Sequence, residues 1–359
     1  MQKFILIFIA NIIVLIVSSC SFKDHNIQSN NCKYAGQTWV IESKSGAYTS
    51  KLTYNSDIDL EDSGFPKKMN SLYTTFSGDS LKLEIQASEH KNFSYEYDKN
   101  EFLTQKKFST FFDYHTQEFS YGNSGTLRNA KMETVETTNF HYESNLLQTA
   151  SKQTVTTITS SNKAPIVSNI SSITTYSYTS NGIAQMAKEV FDNGTSLITY
   201  FTDGAISSST RNAVDGSILY SSTYNKLGKT TLYKFQETER IITYDQNDNL
   251  ANVKTFFNGK LQFEQNYEFD NHRNPETLIP IYFKGIPIPM RDVFQSDDNN
   301  NLVRLKFNNY VIDYESDEVS SYIYNSNGLP QSSVLKRVKG SSSGNSDSKI
   351  TTFKYKECQ

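Results

Sequence analysis

Cysteine is scarce in this chain: three residues in 359, at positions 20, 32 and 358. No two of them form a CxxC pair, which leaves out zinc-ribbon and thioredoxin-type chemistry. The five histidines, His25, His90, His115, His141 and His272, are scattered singly without ligand spacing, so neither a metal nor a cofactor is expected. Charge of one sign is lacking too. Lys and Arg (35) nearly balance Asp and Glu (38) and are interspersed, so there is no basic stripe for nucleic acid. Beyond residue 17 no apolar run approaches the roughly 20 residues of a spanning helix. Hydrophobic residues amount to only 36% and mean hydropathy is −0.55, but 23 Tyr and 23 Phe are present. The core therefore has to be aromatic. Together with abundant Ser, Thr and Asn, that favours pleated, half-buried surfaces.

The first residues read as a processing signal rather than a fold element. Lys3 precedes an apolar run from Phe4 to Val17, broken only by Asn11, and small residues lead to Cys20. Val17-Ser18-Ser19-Cys20 resembles a bacterial lipobox. That resemblance implies cleavage before Cys20, acylation of its thiol and new amino terminus, and attachment to a membrane by lipid. Several acyl chains, at about 0.8 kcal/mol per buried methylene, make such an anchor essentially permanent. The expected organisation is a signal peptide over 1–19, a lipidated tether over 20–31 and one large β-repeat domain over 32–359. Lys23-Asp24 is similar to the charged tethers that send some lipoproteins to the cell surface; surface and periplasmic faces both stay open.

The strongest internal signal is a degenerate unit. Two aromatic or β-branched residues stand two apart, a polar turn with Asp, Asn or Gly follows, and Leu or Ile restarts a strand. Clear copies are Tyr95-Glu96-Tyr97-Asp98, Phe140-His141-Tyr142 before Leu147, and Tyr176-Ser177-Tyr178 before Gly182. Others are Ile198-Thr199-Tyr200 before Gly204, Tyr220 to Tyr224 before Gly228, Ile242-Thr243-Tyr244-Asp245 before Leu250, and Tyr322-Ile323-Tyr324-Asn325 before Gly328. A spacing of two puts both apolar side chains on one face of a strand. Asp or Asn bonds its own backbone two residues on, and Gly supplies the positive φ of tight hairpins. Each copy is thus a strand end, a turn and a strand start, and repeated hairpins bury their faces on neighbours.

This pattern resembles the tyrosine-aspartate (YD) repeats of RHS-type proteins, and a group of Bacteroidetes-type lipoproteins of unknown function with a porin-like β-barrel domain. The likeness is carried best by Tyr267 to Pro275 and Tyr322 to Pro330, and extends as pattern from Tyr95 to Tyr355. It implies an all-β, antiparallel up-and-down meander of repeated hairpins closed into a barrel. An open twisted meander is the alternative, and residues 32–90, which depart from the repeat, are a candidate for a distinct β cap.

The cysteines bear on closure. About twenty strands spaced roughly 4.8 Å apart would make an open sheet some 90 Å across, whose ends could not share a disulfide. A closed barrel brings Cys32 and Cys358 near enough to pair, and an exported protein permits the bond. Closure also removes edges that invite aggregation. Membrane insertion is not expected, because segments such as Ser168 to Ser180 offer Ser and Thr on both faces instead of a lipid-facing apolar band.

Hydrolase-like fragments fail on chemistry. Gly340-Ser-Ser342-Ser-Gly344 has nucleophile-elbow spacing but no histidine follows it, and Gly78-Asp79-Ser80-Leu81 lacks a histidine placed three residues after an aspartate. Asp245-x-Asn247-x-Asn249 lacks the glycine and glutamate of a calcium loop and reads as an Asx turn. The expected function is therefore non-catalytic: binding of a glycan or another envelope protein, or a scaffold role, at a lipid anchor in the outer membrane. A glycoside hydrolase, with two carboxylates facing across a cleft, is the competing class. The repeat is interrupted between Asn271 and Asn301, where four of the seven prolines fall. Tyr282, Phe283, Arg291 and Asp292 are the candidate binding residues there, and packing of a plug is the alternative role.

Overall fold

A computed structural model describes residues 33–45, 48–79, 82–114, 119–120, 126–127, 129–280, 282–288, 298–340 and 348–356. The strands are β1 (Lys33–Ser45), β2 (Tyr48–Leu60), β3 (Pro66–Asp79), β4 (Lys82–Tyr97), β5 (Leu103–Tyr114), β6 (Phe119–Ser120) and β7 (Thr126–Leu127). There follow β8 (Lys131–Glu143), β9 (Leu146–Thr159), β10 (Ile166–Tyr178), β11 (Ala184–Phe191), β12 (Ser196–Thr202), β13 (Ala205–Asn212), β14 (Ile218–Tyr224) and β15 (Thr230–Phe235). The chain continues through β16 (Thr238–Tyr244), β17 (Leu250–Phe257), β18 (Lys260–Arg273), β19 (Asn300–Asn309), β20 (Tyr314–Tyr324), β21 (Pro330–Lys339) and β22 (Ser348–Lys356).

Apart from the short β6–β7 ladder, every strand pairs antiparallel with its neighbours in sequence, and β22 pairs back onto β1 from Lys33↔Lys356 to Glu42↔Ser348. The twenty strands of that sheet form a closed up-and-down barrel, as the repeat and its end-to-end cysteine placement lead one to expect. β1 to β3, which lack the repeat, continue the same wall. Closure with an even number of strands puts Lys33 and Lys356 at one end. We call that end the foot, and the other the mouth.

The repeat explains the foot. Asp98, Asn225, Asp245 and Asn325 each accept from the backbone N–H groups two and four residues on, for example Asn247 and Asn249 at 2.8 Å onto Asp245 Oδ1. The fourth residue of each turn is left-handed: Gly228 and Gly328 suit it, while Glu101 (φ 67°) and Asp248 (φ 62°) occupy it as non-glycine residues. One extra residue on the outgoing strand makes a bulge after these turns, as at Tyr97↔Leu103 and Tyr244↔Leu250.

The strand-end tyrosine then locks the foot of its own hairpin. Tyr97 donates to the Pro66 carbonyl (2.8 Å), Tyr142 to Leu103 (3.0 Å), Tyr178 to Leu147 (2.7 Å), Tyr244 to Thr230 (2.9 Å) and Tyr355 to Pro330 (2.8 Å). In each case a tyrosine at or next to the end of its strand holds a residue at or next to the start of the preceding strand of the sheet. Burial pushes the phenols of Tyr97, Tyr142, Tyr178 and Tyr355 upward, Tyr178 to about 12, so these four remain donors over the whole physiological range. The copy at Ile198-Thr199-Tyr200 differs: Leu197, Thr199 and Phe201 take the inner face and Tyr200 is exposed. Its hairpin turns on the two residues Asp203-Gly204, both at positive φ, and so lacks the longer turn that sets the aromatic register elsewhere.

Outside, the wall suits water. The outward register carries charged pairs such as Arg304 with Asp317 (2.6 Å), Lys234 with Glu239 (3.1 Å) and Lys354 with Asp57 (2.9 Å). Exposed apolar residues are present as well: Ile173 beside Val190, Ile350 between Val40 and Val334, and Ile323 opposite Ser332. β11 to β17 are six to eight residues long, short of the roughly 9–11 a membrane strand needs. A charged side chain facing acyl chains at mid-bilayer would cost about 2–4 kcal/mol.

Candidate functional site

The interior divides into a packed side and an open side. Around β1 to β9 the inner face holds Tyr34, Ile58, Met69, Phe93, Tyr95, Leu103 and Leu147, all buried. Higher on that side Trp39 stacks on Tyr54 (5.2 Å), with Lys349 Nζ 4.5 Å above its ring.

The segment after β18 closes the foot of the packed side. A single 3-10 turn, Pro275–Leu278, is capped by Asn274, whose side chain accepts from Glu276 N–H. The chain then runs inward: Ile279, Phe283 and Ile286 join the core cluster. The Phe283 ring stacks on Phe65 (5.8 Å), Tyr95 (5.9 Å) and Tyr97 (6.3 Å). Gly285 allows the close approach, since a Cβ there would meet Phe102 Cε1 at 2.8 Å. A buried amide network ties down the other end of this connection. Asn249 donates to Asp245 and Asn300 (3.0 Å each), Asp298 accepts from Leu250 N–H (2.8 Å), and Asn301 and Tyr324 converge on Asp270. Asp245, Asn247 and Asn249 thus act as an Asx turn and a clamp.

Of the residues that sequence reasoning put in this interruption, Phe283 is therefore part of a plug and Tyr282 sits half-buried beside it. Arg291 and Asp292 lie outside the described residues, as do Cys20, Cys32, Cys358, Ser80 and Ser342.

The open side holds a cavity of about 950 Å³ bounded by β5 to β19. Its wall combines six tyrosines, seven Ser or Thr residues and a larger apolar set that includes Leu197, Ile206, Ile242 and Val253. Ile286 and Ile288 of the plug form part of it. One wall carries a ladder of alternating charge. Lys106, Glu136, Lys152 and Glu189 face inward on β5, β8, β9 and β11. Lys152 pairs with Glu189 at 3.2 Å, and Ser172 donates to the same carboxylate at 2.6 Å. Lys106 Nζ lies 5.5 Å over the Phe93 ring, and burial there, partly opposed by Glu136, pulls its ammonium down to about 8. Glu136 and Glu189 are three strands apart, about 14 Å between backbones at roughly 4.8 Å per strand. Both are engaged by neighbouring donors, Glu136 by Thr154.

On the opposite wall Arg240 faces inward between Tyr233 and Thr255, its direct partners on β15 and β17, and among the described residues its buried Nε has no hydrogen-bond partner. Toward the mouth the lumen-facing register continues into Ile170, Phe235 and Phe257, which are 40–50% exposed. Inner-face side chains open to solvent mark an apolar entrance. These residues are recoverable from sequence by counting back in twos from each strand-end tyrosine: Tyr244, Ile242, Arg240, or Tyr142, Phe140, Thr138, Glu136.

No family model matches the chain, and no curated protein matches it by sequence. Among solved structures, a porin-like protein from Bacteroides uniformis ATCC 8492 aligns over 90% of this chain and 98% of its own, at 11% identity and a TM-score of 0.35. The barrel stands on the strand pairing above, independently of that alignment.

Proposed function

We propose that this protein is a non-catalytic binding protein of the cell envelope, held to the outer membrane by lipid on Cys20, that takes a ligand into its lumen. The cavity carries the reading. A scaffold needs only a filled barrel, whereas here one side is packed to the centre and the other keeps a 950 Å³ space behind an exposed apolar entrance. That volume is in the range of ligand sites, and its lining of apolar and aromatic groups with a few polar ones matches their usual chemistry. Tyrosines fixed on strands present stacking surfaces at low entropic cost.

Native mass spectrometry of the protein extracted from its own membranes tests both parts. The expected spectrum shows acylated Cys20 as the amino terminus and a non-covalent adduct that a lumen-filling Val253→Trp variant loses. An unmodified Cys20 in membrane-extracted protein refutes the anchor. An adduct-free wild type, or an adduct retained by the filled variant, refutes the lumen.

A further inference from the structure

Resting on the lumen reading, we infer that the ligand is an anionic amphiphile, a carboxylate or phosphate head on an aliphatic chain, whose head is taken by Arg240.

The charge ladder is internally matched, Lys152 with Glu189 and Lys106 beside Glu136, so it asks for no counter-ion. Arg240 differs. Its buried Nε has no acceptor among the described residues, a state that costs free energy until an acceptor arrives. The flanking residues, Tyr233 and Thr255, carry hydroxyls suited to the remaining oxygens of an anionic head. A guanidinium prefers planar, two-oxygen acceptors, which carboxylate and phosphate supply.

The order of residues along the wall fixes how such a ligand lies. Thr238 pairs with Phe235 and Phe257 at the entrance, and Arg240 is two residues further in, about 7 Å at roughly 3.3 Å per residue. Two residues deeper again, Ile242 pairs with Val253. Leu250, Ile206, Ile286 and Ile288 complete an apolar floor beneath the guanidinium. A head held at Arg240 thus has an aliphatic surface below it and an apolar entrance above it. A sugar chain would find its hydroxyls facing isoleucine and valine along that floor, where unpaired polar groups are penalised.

Titration of the full-length mature protein with a fluorescent C18 polyene fatty acid, displaced by unlabelled competitors, tests the assignment. Oleate and 1-oleoyl-lysophosphatidate are expected to compete at least about tenfold better than oleyl alcohol, which shares the chain but not the charge, since an ionic hydrogen bond contributes on the order of 1.5–3 kcal/mol. Whichever of the two anions competes better identifies the head as carboxylate or phosphate. Arg240→Gln is expected to bring the preferred anion to the alcohol's affinity, and Val253→Trp to weaken all three. Equal competition by anion and alcohol in the wild type overturns the head assignment without reference to any variant. An anion preference kept by Arg240→Gln, with an unchanged thermal midpoint, overturns Arg240. An acidic oligosaccharide that binds the wild type but not Val253→Trp, where no amphiphile binds, overturns the ligand class and leaves the lumen reading standing. Amphiphile binding indifferent to Val253→Trp overturns the lumen reading itself.

Discussion

Replacing Phe283 by alanine distinguishes a plug that belongs to the core from a loop that opens for a ligand. The ring is 3% exposed and touches three aromatic rings from β4 and the turn after β2. Truncating a buried phenylalanine costs about 3–5 kcal/mol, the lost transfer free energy plus the cavity left behind. Stacking adds to its side of the balance, at about 0.5–1.5 kcal/mol per pair beyond area, although three pairs sharing one ring do not sum. Collapse of the neighbours works the other way, but Gly285 already lies against Phe102 and the amide clamp around Asn249 and Asp298 fixes the far end. The expected loss is therefore about 3–4 kcal/mol, with Phe283→Leu limited to about 1–1.5 kcal/mol because most of the volume stays. Urea denaturation followed by near-ultraviolet circular dichroism gives both values, provided the slope against denaturant is unchanged. A loss below about 1 kcal/mol for Phe283→Ala would refute the plug, since it would mean that the ring spends its time outside the cluster.

Three further outcomes follow from the same geometry. Tyr142→Phe removes the donor to the buried Leu103 carbonyl and is expected to lower stability by about 1–2 kcal/mol in the same urea assay, whereas Tyr200→Phe, on an exposed tyrosine, stays within about 0.5 kcal/mol. Lys106 has its folded pKa drawn down to about 8 from an unfolded value near 10.4, so the unfolded chain binds more protons between them and stability rises with pH across that window. The wild type minus Lys106→Met difference curve should therefore climb from pH 8 to pH 10 and lie flat below it; a flat difference throughout refutes the shift. Finally, Cys32 and Cys358 stand one and two residues beyond the paired Lys33 and Lys356, and we propose that they are bonded; non-reducing peptide maps showing both thiols free in exported protein refute this.

The wall was legible in the sequence because its rule is local. A strand-end tyrosine followed by Asp or Asn sets the inner face, the turn and the bulge from about eight consecutive residues, and Asp98, Asn225, Asp245 and Asn325 all behave accordingly. Closure was less legible, because the ladder that closes the barrel joins Lys33–Ser45 to Ser348–Lys356, more than 300 residues away, and only the placement of cysteines near both ends and the likeness to porin-like barrels hinted at it. β1 to β3 gave no repeat signal since their inner face alternates Trp39, Tyr54 and Tyr73 with Ser56 and Ser71, without the aromatic strand end. The interruption at 271–301 was visible, but the part Phe283 plays there was not. Its ring packs against Phe65 and Tyr97, contacts fixed by how a loop folds back and not by any spacing. Arg240 was hidden differently, as one charge among thirty-five basic residues until the register of Tyr244 turns it inward.

Even strand number gives the molecule a polarity that suits its proposed role. Lys33 and Lys356, the Asx turns, the tyrosine locks and the plug share the foot, while Phe235 and Phe257 mark the mouth. The lipid proposed on Cys20 would attach thirteen residues before the first described strand, a tether of at most about 43 Å at roughly 3.3 Å per residue. The foot is then the end held toward the membrane, and it is also the end in which buried amides and stacked rings leave least room for motion. Ligand exchange through the foot would require breaking the Asn249–Asp298–Asp270 network and unstacking Phe283, whereas the mouth opens on side chains that are already half in water. Entry is thus directed to the end facing away from the anchor, where an amphiphile arriving from elsewhere in the envelope meets an apolar rim before it meets a charge.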